Sequence, residues 1–191
     1  FGHGETNNNF YASWMHFYID FADDSGGVYI ISATLDVVAT QSASFDADTP
    51  CKLTVAFVNT ENPDQPIDVT TLKAVSVSDD PLNTTIAEDW TEGETYSFDV
   101  TTSAKKLFGS NGITWNNGDL AAVLIKNWGS SQDQYRQVAS SSNIYYTAPK
   151  LTITYSDNYY EQDAYDVSII DTPSVSRTIL DVGENDGKIK R

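Results

Sequence analysis

The chain is poor in the residues that build reactive or metal-holding centres: its 191 residues include one cysteine, two histidines and one methionine. A lone Cys51 excludes an intrachain disulfide and leaves cysteine usage silent on compartment. With so few soft ligands, a zinc centre of ordinary type is not expected. Positive charge is scarce as well. Eleven Lys and Arg face 27 Asp and Glu, for a net charge of −16, and the basic residues never gather into a patch. Nucleic-acid binding depends on neutralising phosphates, so nucleic acid is not an expected partner, and anionic membranes are disfavoured for the same reason. No apolar run approaches the ~20 residues of a membrane-spanning helix. The motifs GxSxG, HExxH, GxxxxGK[ST] and a GxGxxG following a strand are all missing, so no catalytic residue and no enzymatic activity is expected. The chain opens on Phe1 without a signal-peptide pattern and is read as a processed or partial product.

What the chain does contain is short stretches in which apolar and polar residues alternate. In Ile31 to Ala39 the odd positions are apolar; Lys52 to Val58 places Leu53, Val55 and Phe57 on one face. Lys73 to Val77, Ser97 to Val100, Ala121 to Ile125 and Leu151 to Tyr155 read the same way, with Asp, Asn, Gly or Pro near most of their ends. About eight such strands predict an antiparallel β-sandwich of jelly-roll type. Helical spacing occurs only at Val100 to Phe108, where Thr101 or Thr102 can cap a short turn carrying Ala104, Leu107 and Phe108. Cys51 opens a strand and reads as a small buried thiol.

The organisation along the chain is an arm, one domain and a tail. Residues 1–9 are Gly/Asn-rich and read as a flexible arm. Residues 10–156 hold the sandwich. Residues 157–191 form an acidic tail in which Tyr165-Asp166-Val167-Ser168-Ile169 alternates like one more strand, interrupted afterwards by Pro173. Tyr165, Val167, Ile169 and Ile170 are therefore candidate subunit contacts. They either fold back on the domain's own sheet edge or pair with a neighbouring subunit.

Carboxylates are plentiful, and three sit in strand-like runs: Asp20, Asp36 and Asp99. Asp99, just before Val100 and Thr101, is placed to cap the following turn. His16, in Trp14 to Ile19, reads as an outward or hydrogen-bonded strand residue. Calcium is the one ion considered, as a structural calcium with no other cofactor expected. Asp23 to Gly27, Asp46 with Asp48, and Asn116 to Asp119 offer hard oxygen ligands in loops, but such residues also build turns for backbone reasons alone. Aromatics are the best recognition candidates. Trp90, Trp115, Trp128 and Tyr135 fall in or beside loops and are candidate ligand-binding residues, able to stack on sugar faces or anchor a protein interface; Trp90 and Trp115 can also simply close the open ends of the sandwich. Tyr145, Tyr146, Tyr159 and Tyr160 lie in similarly polar surroundings.

Several phrases occur together in order: Ser32-Ala33-Thr34-Leu35 early, Asp99-Val100-Thr101 before the helical turn, the strand from Gly118 to Asn127, and Pro149-Lys150-Leu151-Thr152-Ile153-Thr154-Tyr155 at the close. In this the chain resembles the DNRLRE type of jelly-roll module, named after disaggregatase-related repeats, over about Phe10 to Tyr155. The resemblance implies a β-sandwich of the kind found in secreted and surface proteins, carbohydrate-binding modules and virion proteins of tailed phages. Two functions follow as expectations. One is a non-enzymatic structural or decorating subunit of a large assembly: a phage capsid, collar or tail-fibre protein, or a surface filament, with other protein subunits, copies of itself included, as partners. The other is an extracellular carbohydrate-binding or adhesion module, with a surface glycan as partner.

Overall fold

The computed structural model describes residues 2–4, 9–21, 29–64, 69–77, 81–108, 118–127, 135–156 and 175–180. Two antiparallel sheets carry the fold. The first orders its strands β1 (Gly2–Gly4), β2 (Asn9–Ile19), β7 (Asp119–Asn127), β4 (Cys51–Phe57) and β5 (Leu82–Ile86). The second orders β6 (Thr95–Asp99), β3 (Tyr29–Val38), β8 (Lys150–Ser156) and β9 (Val175–Leu180). Most connections cross from one sheet to the other; β1–β2, β4–β5 and β8–β9 stay within a sheet. The expected antiparallel β-sandwich is present.

One apolar cluster fills the space between the sheets. Met15, Phe17 and Ile19 of β2, Leu53, Val55 and Phe57 of β4, and Ala121, Val123 and Ile125 of β7 meet residues from β3, β6 and β8. On β3 the buried set is Ala33, Leu35 and Val37, as alternation requires. Ile31 breaks the pattern. A bulge between Ile30 and Ser32 turns Ile30 inward and leaves Ile31 44% exposed. Cys51 is fully buried at the start of β4.

The strand from Ala121 to Ile125 does not alternate between core and solvent, because both faces of β7 are covered. Ala122 and Leu124 pack with Trp14, Val58 and Leu72 in a second, smaller cluster on the outside of the first sheet. Leu72 belongs to α1 (Val69–Ala74), a six-residue helix. This corrects the strand expected over Lys73 to Val77: the chain there is helical through Ala74, and only Val77 forms a bridge, to Val58. The helix lays Leu72 on the sheet, with Val75 packed beside it. Among the described residues there are thus two short helices, where one was expected.

The other helix, α2 (Thr101–Phe108), lies where its spacing predicts and buries Ser103, Ala104, Leu107 and Phe108. Its first turn is tied down from both sides. Asp99 Oδ1 accepts from Thr101 N–H (2.9 Å), and Thr101 Oγ1 accepts from Ala33 N–H (2.9 Å). Hydrogen bonds from the Thr101 hydroxyl and then its backbone N–H hold the Asp99 carboxyl below its usual pKa. Deeper in the helix, Ser103 Oγ accepts from Phe57 N–H at 2.7 Å and so joins the helix to β4.

Gly2–Gly4, within the segment read as an arm, pair as β1 with Asn9 to Tyr11. The tail contributes β9, which runs antiparallel to β8 with Val175 opposite Tyr155 and Leu180 opposite Lys150. Tyr165, Val167, Ile169 and Ile170 lie outside the described residues, as do Trp115, Trp128, Tyr159 and Tyr160.

Candidate functional site

Three chain segments meet at one end of the sandwich: residues 38–44 from the end of β3, residues 89–96 leading into β6, and residues 135–146 before β8. Backbone hydrogen bonds lace them together. Ala43 and Trp90 exchange both bonds (2.7 and 2.8 Å), Gly93 N–H donates to Ala39 O (2.9 Å), Thr40 N–H to Gln137 O (3.1 Å), and Ala139 N–H to Val38 O (2.8 Å). Side chains add to this: Ser42 Oγ accepts from Glu92 N–H (2.9 Å), and the Tyr146 hydroxyl donates to Glu92 Oε1. That carboxylate raises the Tyr146 pKa by accepting the phenol's hydrogen bond.

Trp90 is the centre of this end, and of the two readings given above it takes that of a ring closing the sandwich. It is 1% exposed, stacked on Tyr96, with its Nε1–H donating to Gln137 O at 3.3 Å. A ring covered on this scale has no face to offer a sugar; its placement is that of a residue closing the end of the sandwich. Polar neighbours in sequence, Asp89 and Thr91, are exposed and hide this burial from a reading by composition.

Tyr135 is 37% exposed and lines a shallow groove of about 200 Å³ with Gln41, Ser42, Ser44, Arg136 and Gln137. Arg136 is buried there, and its Nη1 donates to Tyr135 O (2.9 Å). The neighbouring turn exposes two large apolar side chains, Ile144 at 84% and Tyr145 at 82%. Asn143 fixes that turn. Its Oδ1 accepts from both Tyr145 N–H (2.8 Å) and Tyr146 N–H (3.0 Å), so the two side chains stand on a backbone that is already ordered. Sequence reasoning missed Ile144; the signal available was an apolar pair set in a Ser/Asn run.

Among the described residues no cluster of three or more His, Cys, Asp and Glu gathers into a cation site. Asp46, one calcium candidate, spends its carboxylate on its own turn: Oδ2 accepts from Thr49 Oγ1 (2.7 Å) and Oδ1 from Asp48 N–H (2.9 Å), which lower its pKa in that order. Asp119 Oδ1 accepts from Asn62 Nδ2 (2.8 Å), while Asp23 to Gly27 and Asn116 lie outside the described residues. His16 is half-buried on β2. Its Nε2 lies 2.8 Å from Trp14 Nε1 and 3.0 Å from Pro63 O. Asp36 accepts from Ser97 Oγ at 2.6 Å across β3 and β6.

The second feature with a surface to offer is the edge of the second sheet. Leu151, Ile153 and Tyr155 of β8 point into the core, and their strand is sealed on its open side by β9. No family model matches this chain, and neither a curated protein nor a solved structure does.

Proposed function

We propose that the protein is a non-enzymatic structural or decorating subunit of a large assembly, such as a capsid decoration, collar or tail-fibre protein of a phage, or a surface filament. The observation that carries this reading is the tail strand β9. It lies beyond a sandwich whose core is already built by β2 to β8, and it works by adding to a sheet edge, the mode by which subunits of fibrous assemblies join. The phrases shared with DNRLRE modules support the same setting, on a virion or a cell surface. A net charge of −16 keeps such a subunit soluble before assembly.

A second reading, a carbohydrate-binding or adhesion module, is favoured by Tyr135 and Tyr145, exposed on and beside a polar groove at the laced end. Light scattering on the full chain separates the two. The assembly reading predicts a mass well above 21.0 kDa. A 21.0 kDa species that is retained on a glycan array gives the function to the second reading.

A further inference from the structure

We propose that β9 is a strand given to a second copy of this chain, seated on the outer edge of that copy's β8; this rests on the assembly reading above and names its partner. Three features lead to it. First, β8 needs a strand beside it. Leu151, Ile153 and Tyr155 are buried core residues, and β9 pairs along their strand from Tyr155 opposite Val175 to Lys150 opposite Leu180. Without β9 that edge is a row of open N–H and C=O groups beside the main core, an exposed edge of the kind that recruits another chain.

Second, the connection is far longer than the pairing needs. Tyr155 and Val175 are Cα partners, a separation of about 5 Å that a hairpin of two to five residues can bridge. Residues 156–174 join them instead. That length of chain, extended, reaches about 60 Å, enough to deliver β9 to the sandwich of an adjacent molecule. Third, the connection is charged with one sign. Asp157, Glu161, Asp163, Asp166 and Asp171 occur in it with no Lys or Arg. Like charges favour extension over a compact return. Pro173 stands two residues before β9 in the sequence and has no N–H to offer a ladder.

The pairing available in trans is the one seen in cis, because every copy carries the same β8 edge and the same β9. Donor and acceptor are different surfaces of the molecule. Exchange therefore gives either a closed reciprocal pair or a head-to-tail chain of subunits.

The test uses the full chain in a Cys51→Ala background. One preparation carries Thr152→Cys and another Thr178→Cys, positions that are Cα partners across β8 and β9 and suited to a disulfide. The two are unfolded together, refolded in equal amounts and oxidised. Exchange predicts a disulfide-linked band at twice the chain mass in the mixture and its loss when either is refolded alone. A chain carrying both substitutions checks the geometry. If it closes within one chain while the mixture stays unlinked, the pairing is in cis and the proposal is overturned; no link in either preparation overturns it as well. An unlinked mixture from a full chain that still associates leaves the assembly reading standing without strand exchange, whereas an unlinked mixture from a monomeric full chain removes both.

Discussion

Trp90 lies face to face with Tyr96, ring centroids 3.6 Å apart and planes 12° from parallel, while the Tyr96 hydroxyl accepts from Thr91 N–H (2.7 Å) and donates to Asp89 O (3.1 Å). The two rings therefore hold the 89–96 segment in shape from within. Replacing Trp90 by Ala removes a fully buried aromatic and should lower stability by about 3–5 kcal/mol. Urea unfolding followed by circular dichroism reads this directly. A loss under about 1 kcal/mol would mean that the ring is not packed as described.

Gly93 closes the adjoining turn at φ +85°, with Glu94 N–H donating to Thr91 O (3.1 Å). A Cβ at Gly93 would have room, its nearest neighbour being Tyr146 Cε1 at 3.9 Å, so the cost of Gly93→Ala is one of backbone conformation. It should destabilise by about 1–2 kcal/mol, and Gly93→Asn by less, because Asn tolerates the left-handed region better. Thermal melts of the two variants give the order.

Ser103 carries the link between α2 and β4. Ser103→Ala leaves the buried Phe57 N–H without its 2.7 Å acceptor, a loss of about 1–3 kcal/mol. Amide exchange at Phe57 should speed up in the variant, and unchanged protection there would contradict the assignment.

The strands that sequence made legible are those with one dry and one wet face. β3 and β8 alternate cleanly because one face meets the core and the other water. β7, expected to alternate, is instead apolar on both faces, since Ala122 and Leu124 are covered by Trp14 and Leu72. The α1 helix was illegible: in six residues, Val69 and Leu72 are too few large apolar positions to establish a helical period. β5 escaped notice because Leu82-Asn83-Thr84-Thr85-Ile86 is a polar edge strand, and β9 because Val175 to Leu180 mixes Ser, Arg and Thr with its apolar residues. Asp99 and Thr101, by contrast, were readable from a local rule about helix starts. At the laced end, Trp90 stayed open between two readings and Ile144 was passed over, because burial there is set by segments far apart in sequence.

Asp99 gives the fold an acid-side dependence with a defined sign. Its folded pKa lies below the ordinary aspartate value of 3.8, lowered first by the Thr101 hydroxyl and then by the Thr101 N–H. The stability it contributes is fully present above 3.8 and is lost as pH falls toward the depressed folded value. Thermal melts between about pH 6 and about pH 2 should show a smaller acid-side decline for Asp99→Asn than for the parent. An identical pH profile would remove Asp99 as a contributor.

Tyr135 and Tyr145 are surface rings, and truncating them should leave stability within about 0.5 kcal/mol of the parent. That makes a Tyr135→Ala/Tyr145→Ala chain a clean probe of the second reading. If the laced end holds a glycan, retention on a glycan array is lost in a protein that melts normally; unchanged retention takes these rings out of any such role.

The measurement that bears most directly on the account is the solution mass of the full chain beside a chain ending at Asp157, by light scattering over a range of concentrations. The account predicts that the full chain associates above its 21.0 kDa unit mass and that removing β9 abolishes this association. A full chain that remains at 21.0 kDa throughout, with the shortened chain differing only in melting temperature, would place β9 within its own molecule and contradict the role in assembly.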